Sequence, residues 1–238
     1  MIRKIREQVK LWMQWVMVRI KAGPLKGYKW SVVSGGNFIR GRYEEFKTEA
    51  LLKCIKPGDV VYDVGGHVGY YSVLSSVLAG PTGQVFVFEP RPMNFAFLKR
   101  HIKFNEVKNV TLIEAAVSDK AGDAGFEDNT GSGTGHLLVD ANLKVETIVL
   151  DEFVDGKSHP DPDFLKMDIE GGEIGALDGA RKTIERARPV LLVATHGDRE
   201  HAFVLDYLEQ YNYHHEVLNP DAIKGDTEII AFPATAEA

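Results

Sequence analysis

Cysteine is nearly absent. The 238-residue chain has one, Cys54, which excludes an intramolecular disulfide framework and a cysteine-based zinc site and reads as a small buried residue on a helix. No stretch approaches the roughly eighteen apolar residues that cross a bilayer, and no secretory pattern of apolar core and small-residue cleavage site stands out. No internal repeat is present. A self-sufficient metal motif such as HExxH is missing, as are zinc-finger spacing and an aromatic-basic sheet motif, so nucleic acid is not an expected partner. What is present, 44% hydrophobic and 26% charged residues, suits one globular α/β domain with a large core and, as an expectation, a cytoplasmic enzyme.

Charge is uneven. Residues 1–56 carry 13 Lys+Arg and 4 Asp+Glu, whereas the rest carries 15 and 30. Ile2, Ile5, Val9, Trp12, Val16 and Ile20 recur at three- and four-residue steps among Arg3, Lys4, Arg6, Lys10, Arg19 and Lys21, which predicts a basic amphipathic helix. Such a helix is expected to pack on its own domain, lid a cofactor or pair with a second subunit as in a homodimer. The other reading is a peripheral membrane anchor over residues 1–22, helped by Trp12 and Trp15. A short hairpin over 27–36 and a helix over 43–54 complete an extension, 1–56, attached to a main unit, 57–238.

The most informative stretch is 60–72, VVYDVGGHVGYYS. A buried-strand run ends at Asp63 and Val64, Gly65, Gly66 and Gly69 follow, and an apolar helix begins near Tyr70. Glycines there let a ligand approach the backbone closely. A dinucleotide site wants GxGxxG against a pyrophosphate, whereas here the acid precedes the glycines in DxGxxxG. A carboxylate suits a cationic ligand such as S-adenosylmethionine, which carries an ammonium and a sulfonium, better than NAD. A second strand, QVFVF at 84–88, ends in Glu89-Pro90, an acid placed to hold two ribose hydroxyls.

Three passages make the chain resemble the FkbM family of class I methyltransferases: IKPGDVVYDVGGHVGYYS, VFVFEPRPMNFAFLKRHIKFN and FLKMDIEGGEIGALDGA. The third lies close to that family's K-x-D-x-E-G-x-E signature. Where such proteins often carry Ala-Asn, this chain has Gly66-His67. The resemblance implies S-adenosylmethionine as cofactor, O-methylation of a small-molecule hydroxyl on a sugar or natural-product scaffold, and a doubly wound, mostly parallel seven-stranded Rossmann-like sheet in three α/β/α layers. An N-methyltransferase and a non-catalytic S-adenosylmethionine-binding scaffold are the alternatives.

Alternating runs predict strands over 60–64, 84–89, 110–116, 163–169 and 189–195, with helices starting near Tyr70, Pro92 and Glu173. A helix over 199–211 and strands over 213–218 and 227–232 close the pattern. The glycine-rich stretch 120–149 breaks the alternation and reads as a functional loop or a hairpin insertion over the site.

Ligands of open α/β sheets sit outside the carboxyl ends of the strands. The cofactor-binding candidates are therefore Asp63, Gly65, Gly66, His67, Gly69, Tyr70, Glu89, Pro90, Asn94, Ala116, Val117 and Asp168. Asp119 caps a turn or accepts from adenine, and Asn105 caps a helix or contacts the cofactor. Asp168, Glu170 and His196 are the catalytic candidates: two acids crowd one strand mouth, and a histidine ending the next strand can serve as general base for a hydroxyl. The same three residues can bind a divalent ion, an assignment the sequence leaves open. His136 and Glu173 are expected near the substrate, with Glu173 also suited to the first turn of a helix.

Overall fold

The computed structural model describes residues 13–128, 135–138, 141, 143–220 and 226–234. Seven strands form the central sheet: β1 (Val60–Val64), β2 (Gln84–Phe88), β3 (Val110–Ile113), β4 (Phe164–Met167), β5 (Val190–His196), β6 (Tyr213–Val217) and β7 (Asp226–Pro233). Their order is β6-β7-β5-β4-β1-β2-β3, with β7 antiparallel to both neighbours and the pairs from β5 through β3 parallel. The winding reverses between β1 and β4, where an open α/β sheet leaves a crevice.

Both faces of the sheet are covered, as its continuous β-branched and aromatic runs require. Val61, Val85, Val87, Phe164 and Leu192 pack beneath the helices Tyr70–Ala79 and Pro92–Phe104. Tyr62, Val64, Phe86, Phe88 and Met167 face the helices of the other layer. The two-residue side-chain period assigns neighbouring residues of β1 to opposite cores.

Register fixes the site. Val64 pairs with both Phe88 and Met167, so β1, β2 and β4 end level and release Gly65, Glu89 and Asp168 at one rim. β5 pairs Val193 with Met167 and runs three residues further to His196. Antiparallel β7 enters at that rim and places Glu228 beside Ala194.

Three segments differ from the sequence reading. Residues 1–12, which carry most of the predicted basic helix, lie outside the described residues; Met17–Arg19, expected at its end, is a strand paired with Lys29–Ser31. The expected hairpin over 27–36 is thus the second arm of a ribbon formed with upstream residues. Burying Trp30, 0% exposed and stacked 3.7 Å from His101, overrides the helical spacing of Val16 and Ile20. In the third segment β3 stops at Ile113, and Ala116–Val117 joins a separate four-stranded sheet with Gly122–Glu127, His136–Leu137 and Leu143–Ile148. Residues 120–149 therefore hold a small sheet; 129–134, 139, 140 and 142 lie outside the described residues.

Candidate active site

The turn after β1 is built by approach of two strands. Gly65 has φ +86°, and a Cβ there would lie 1.9 Å from the carbonyl oxygen of Asp168, so only glycine fits. The Gly65 and Gly66 N–H groups both donate to the Phe88 carbonyl at 2.9 and 3.0 Å, closing the turn over the end of β2.

Asp63, expected to face the ligand, faces inward. It is 1% exposed, accepts from Ser72 Oγ at 2.6 Å and from Lys166 Nζ at 2.9 Å, and Lys166 also donates to the Gly65 carbonyl at 2.9 Å. Its charge is spent on holding the turn together. Gly66 packs toward Val87 and Gly69 toward Leu98, while Tyr70 joins a buried aromatic group with Trp30, Phe38 and Tyr43. None of these four expected ligand contacts, Asp63, Gly66, Gly69 and Tyr70, lines the cavity.

That cavity, about 260 Å³, opens at the level ends of β1, β2 and β4. Of the expected cofactor contacts, Gly65, His67, Glu89, Pro90, Asn94, Ala116, Val117 and Asp168 line it. Glu89 forms one wall, where its carboxylate accepts the His67 N–H at 2.7 Å, the Arg91 N–H at 2.9 Å and Asn94 Nδ2 at 3.4 Å. Burial pushes the Glu89 pKa up to about 7 against the opposing effect of those donors. His67 sits in the left-handed region at φ 49°, and burial, reinforced by Lys166, lowers its pKa to about 4. Phe126 and Leu137 of the small sheet join Ala116 and Val117 in an apolar slot. His136 does not line the cavity; strand alternation gives that place to Leu137.

The opposite wall carries the charge. Lys47, on the helix Glu45–Cys54 and 2% exposed, reaches Asp168 Oδ2 at 2.7 Å, Glu228 Oε1 at 2.9 Å and Glu44 Oε2 at 3.0 Å. Burial disfavours the Lys47 charge, but the three carboxylates more than compensate and hold its pKa well above the ordinary lysine value. Burial likewise opposes the Asp168 charge, yet Lys47 and Lys166 hold its pKa below the usual carboxylate range. Burial raises Glu170 and Glu228.

His196 stands beside these acids. Its Nδ1 bonds to Glu173 Oε1 at 2.9 Å, and its Nε2 lies 3.7 Å from both Asp168 Oδ1 and Glu170 Oε2. Burial disfavours the imidazolium, but the Glu173 hydrogen bond and the charges of Asp168 and Glu170 raise the His196 pKa to about 9. With that pKa both ring nitrogens carry protons at neutral pH, and an imidazolium is not the general base expected from its position. Glu173, 0% exposed, lies behind His196 and not on the cavity wall.

The sequence reading missed Tyr43, Glu44, Lys47, Arg91 and Glu228, all of which line the cavity. Arg91, next to Glu89-Pro90, was within reach of that motif. Lys47 and Glu228 carry no local signal, since both lie far along the chain from the strand end they serve. Asp119 accepts from Ser118 Oγ at 3.2 Å, and Asn105 donates to the His101 carbonyl at 2.9 Å while bonding both backbone groups of Lys29. Neither lines the cavity.

A seven-stranded sheet of this order, closed by an antiparallel β7 and opening a cavity at the switch point, defines the Rossmann-like methyltransferase fold. Residues 63–214 match the methyltransferase FkbM domain, and the chain belongs to that family. It is 28% identical over 153 residues to the hexuronic acid methyltransferase AglP of Haloferax volcanii, covering 63% of this chain and 62% of the relative. It is 40% identical over 68 residues to the 31-O-demethyl-FK506 methyltransferase FkbM of Streptomyces tacrolimicus, covering 29% and 25%. The chain thus spans less than two thirds of these curated relatives' lengths. The methyltransferase FkbM structure from Methylobacillus flagellatus superposes with TM-score 0.56 at 20% identity, over 74% of this chain and 44% of that one. A SAM-dependent O-methyltransferase from Thermotoga maritima does so at 0.54 and 14%, over 94% and 80%.

Proposed function

We propose that this protein transfers a methyl group from S-adenosylmethionine to a hydroxyl of a sugar-containing small molecule. The observation that carries this reading is the division of one cavity between two walls: Glu89 and an apolar slot on one side, Asp168, Glu170 and His196 on the other, with Gly65 between them. The first wall fits an adenosine. Glu89 would accept from the ribose through Oε2, which retains a lone pair beyond the one used by the His67 N–H, while Oε1 already accepts from the Arg91 N–H and Asn94 Nδ2. Ala116, Val117, Phe126 and Leu137 would flank the adenine, and Gly65 leaves the backbone open to the chain beyond the ribose. The acids of the second wall favour a sulfonium, the group from which the bound cofactor supplies a methyl electrophile.

The chain's own work is to bring an acceptor oxygen to that methyl, keep it in line and remove its proton. Because His196 is already protonated, a carboxylate serves as proton acceptor; Glu170, raised by burial, is the better placed in basicity. The relationship to a hexuronic acid methyltransferase supports a sugar acceptor. A carboxylate acceptor is less suited, since Glu44, Asp168, Glu170 and Glu228 already crowd the cavity and would repel it.

Incubation with methyl-labelled S-adenosylmethionine and a panel of neutral sugars, uronic acids and amines tests the reading. Label retained on a neutral sugar through mild alkali, which cleaves methyl esters and spares ethers, is the expected result. An alkali-labile product, or label on amines alone, would replace the hydroxyl assignment. Absence of cofactor binding would remove the methyl-transfer reading altogether.

A further inference from the structure

We propose that Asp168, Glu170 and His196 form a divalent-cation site, of the class that takes Mn²⁺, on the acceptor side of the cavity. One ligand atom from each residue lies within 4.8 Å of the other two, and all three residues line the cavity. The 3.7 Å separations of His196 Nε2 from Asp168 Oδ1 and Glu170 Oε2 are too long for hydrogen bonds. They are close to the spacing of neighbouring ligands around one ion, roughly 3.0–3.5 Å for bonds of about 2.1 Å.

The partners of the three ligands point the same way. Asp168 is divided: Oδ2 is committed to Lys47 at 2.7 Å, which turns Oδ1 toward His196. Glu173, wholly buried, accepts from both His196 Nδ1 at 2.9 Å and the Gly171 N–H at 3.1 Å on Oε1. A carboxylate behind an imidazole holds the proton on Nδ1, so that the Nε2 proton is the one an incoming ion displaces and Nε2 faces the ion, as in metal centres. The other Glu173 oxygen is buried and has no hydrogen-bond partner. Glu44, Asp168 and Glu228 gather around Lys47 and Glu170 and Glu173 stand beside His196, while Lys166 is already paired with Asp63. A divalent ion offsets that excess at the point where three ligand atoms converge.

One imidazole and two carboxylates suit a first-row divalent ion with preference for oxygen. The cavity side of the ion remains open to an acceptor oxygen, which it would position and polarise. His196 then gives up its Nε2 proton and acts as a ligand, while Glu170, engaged through Oε2, keeps its other oxygen to accept the proton of the acceptor hydroxyl. The location of the ion's effect rests on the methyl-transfer reading; its binding does not.

The test is a titration of Mn²⁺ alone into the full chain, followed by calorimetry and by loss of the free-ion electron paramagnetic resonance signal. One equivalent at micromolar affinity is expected, weakened roughly tenfold or more in both His196→Gln and Glu170→Gln. Glu170→Gln alters a partly exposed turn residue and keeps the test intact if His196→Gln misfolds. No binding by wild type at millimolar Mn²⁺, or equal binding by wild type and Glu170→Gln, overturns the site. S-adenosylmethionine affinity measured in parallel separates the two readings: Mn²⁺ binding without cofactor binding keeps the ion site and removes methyl transfer, and the reverse removes only the ion site.

Discussion

Two carboxylates that look alike in the sequence, Asp63 and Glu89, have opposite tasks. Both follow an apolar strand run, but Asp63 is enclosed with Lys166 and Ser72, whereas Glu89 lines the cavity. Asp63→Asn leaves Lys166 buried without its counter-charge, and loss of one partner of a buried pair costs about 3–5 kcal/mol. Urea unfolding should therefore register a large stability loss, with any fall in cofactor affinity following from it; a stable variant that fails to bind would return Asp63 to direct contact. Glu89→Gln should do the converse. Removing a charged acceptor from the proposed ribose contact should weaken S-adenosylmethionine binding by roughly ten- to a hundredfold, the equivalent of about 1.5–3 kcal/mol, with little change in unfolding midpoint. Calorimetry on the folded variant checks this, and unchanged affinity would take Glu89 out of the cofactor site.

Among the elements, the ribbon of Met17–Arg19 and Lys29–Ser31 is fastened by a histidine. The Ser31 N–H can only donate, so its 3.1 Å bond to His101 Nε2 places the ring proton on Nδ1, 2.6 Å from the Val68 carbonyl. Burial lowers the His101 pKa to about 4, the Val68 bond opposing that effect in part. A folded-state value below the ordinary 6.5 means that the neutral ring is favoured on folding. Its stabilisation is complete above pH 6.5 and is lost as pH falls toward 4, at up to about 1.4 kcal/mol per pH unit. Stability measured from pH 7.5 to 4.5 should converge between wild type and His101→Gln as the pH drops; parallel curves would show that His101 does not titrate with folding. The Trp30 and Asn105 contacts make the same connection without charge. From the sequence, Asn105 was legible as a helix cap, but its second bond to Lys29, 76 positions away, was not.

For the whole molecule, the match to the family ends short of the site. Residues 63–214 exclude Lys47 and Glu228, which close the charged wall from the two ends of the described chain. A chain beginning at residue 57 would lose Lys47 from Asp168 and uncover the apolar contacts of Ile20, Trp30, Phe38 and Leu51 in the shared core. The expected outcome is a marginal or collapsed protein with weak near-ultraviolet circular dichroism and a broadened urea transition. A sharp transition with intact cofactor binding would establish 57–238 as an independent unit and leave Lys47 to the acceptor.

The sequence alone determined the alternating strands, the glycine turn, the acid after the second strand and the crowding of Asp168, Glu170 and His196 at one rim. Those follow from spacing along a few neighbouring residues and from the two-residue period of strands, which survive in any fold that covers both faces of a sheet. Only the tertiary structure decided which charges remain available. Lys166 reaches Asp63 across 103 positions and Lys47 reaches Asp168 across 121, and a charge brought from so far leaves no periodicity near its partner. Burial together with such remote partners sets the protonation of His196, Glu89 and Asp168, and so the chemistry this rim can perform.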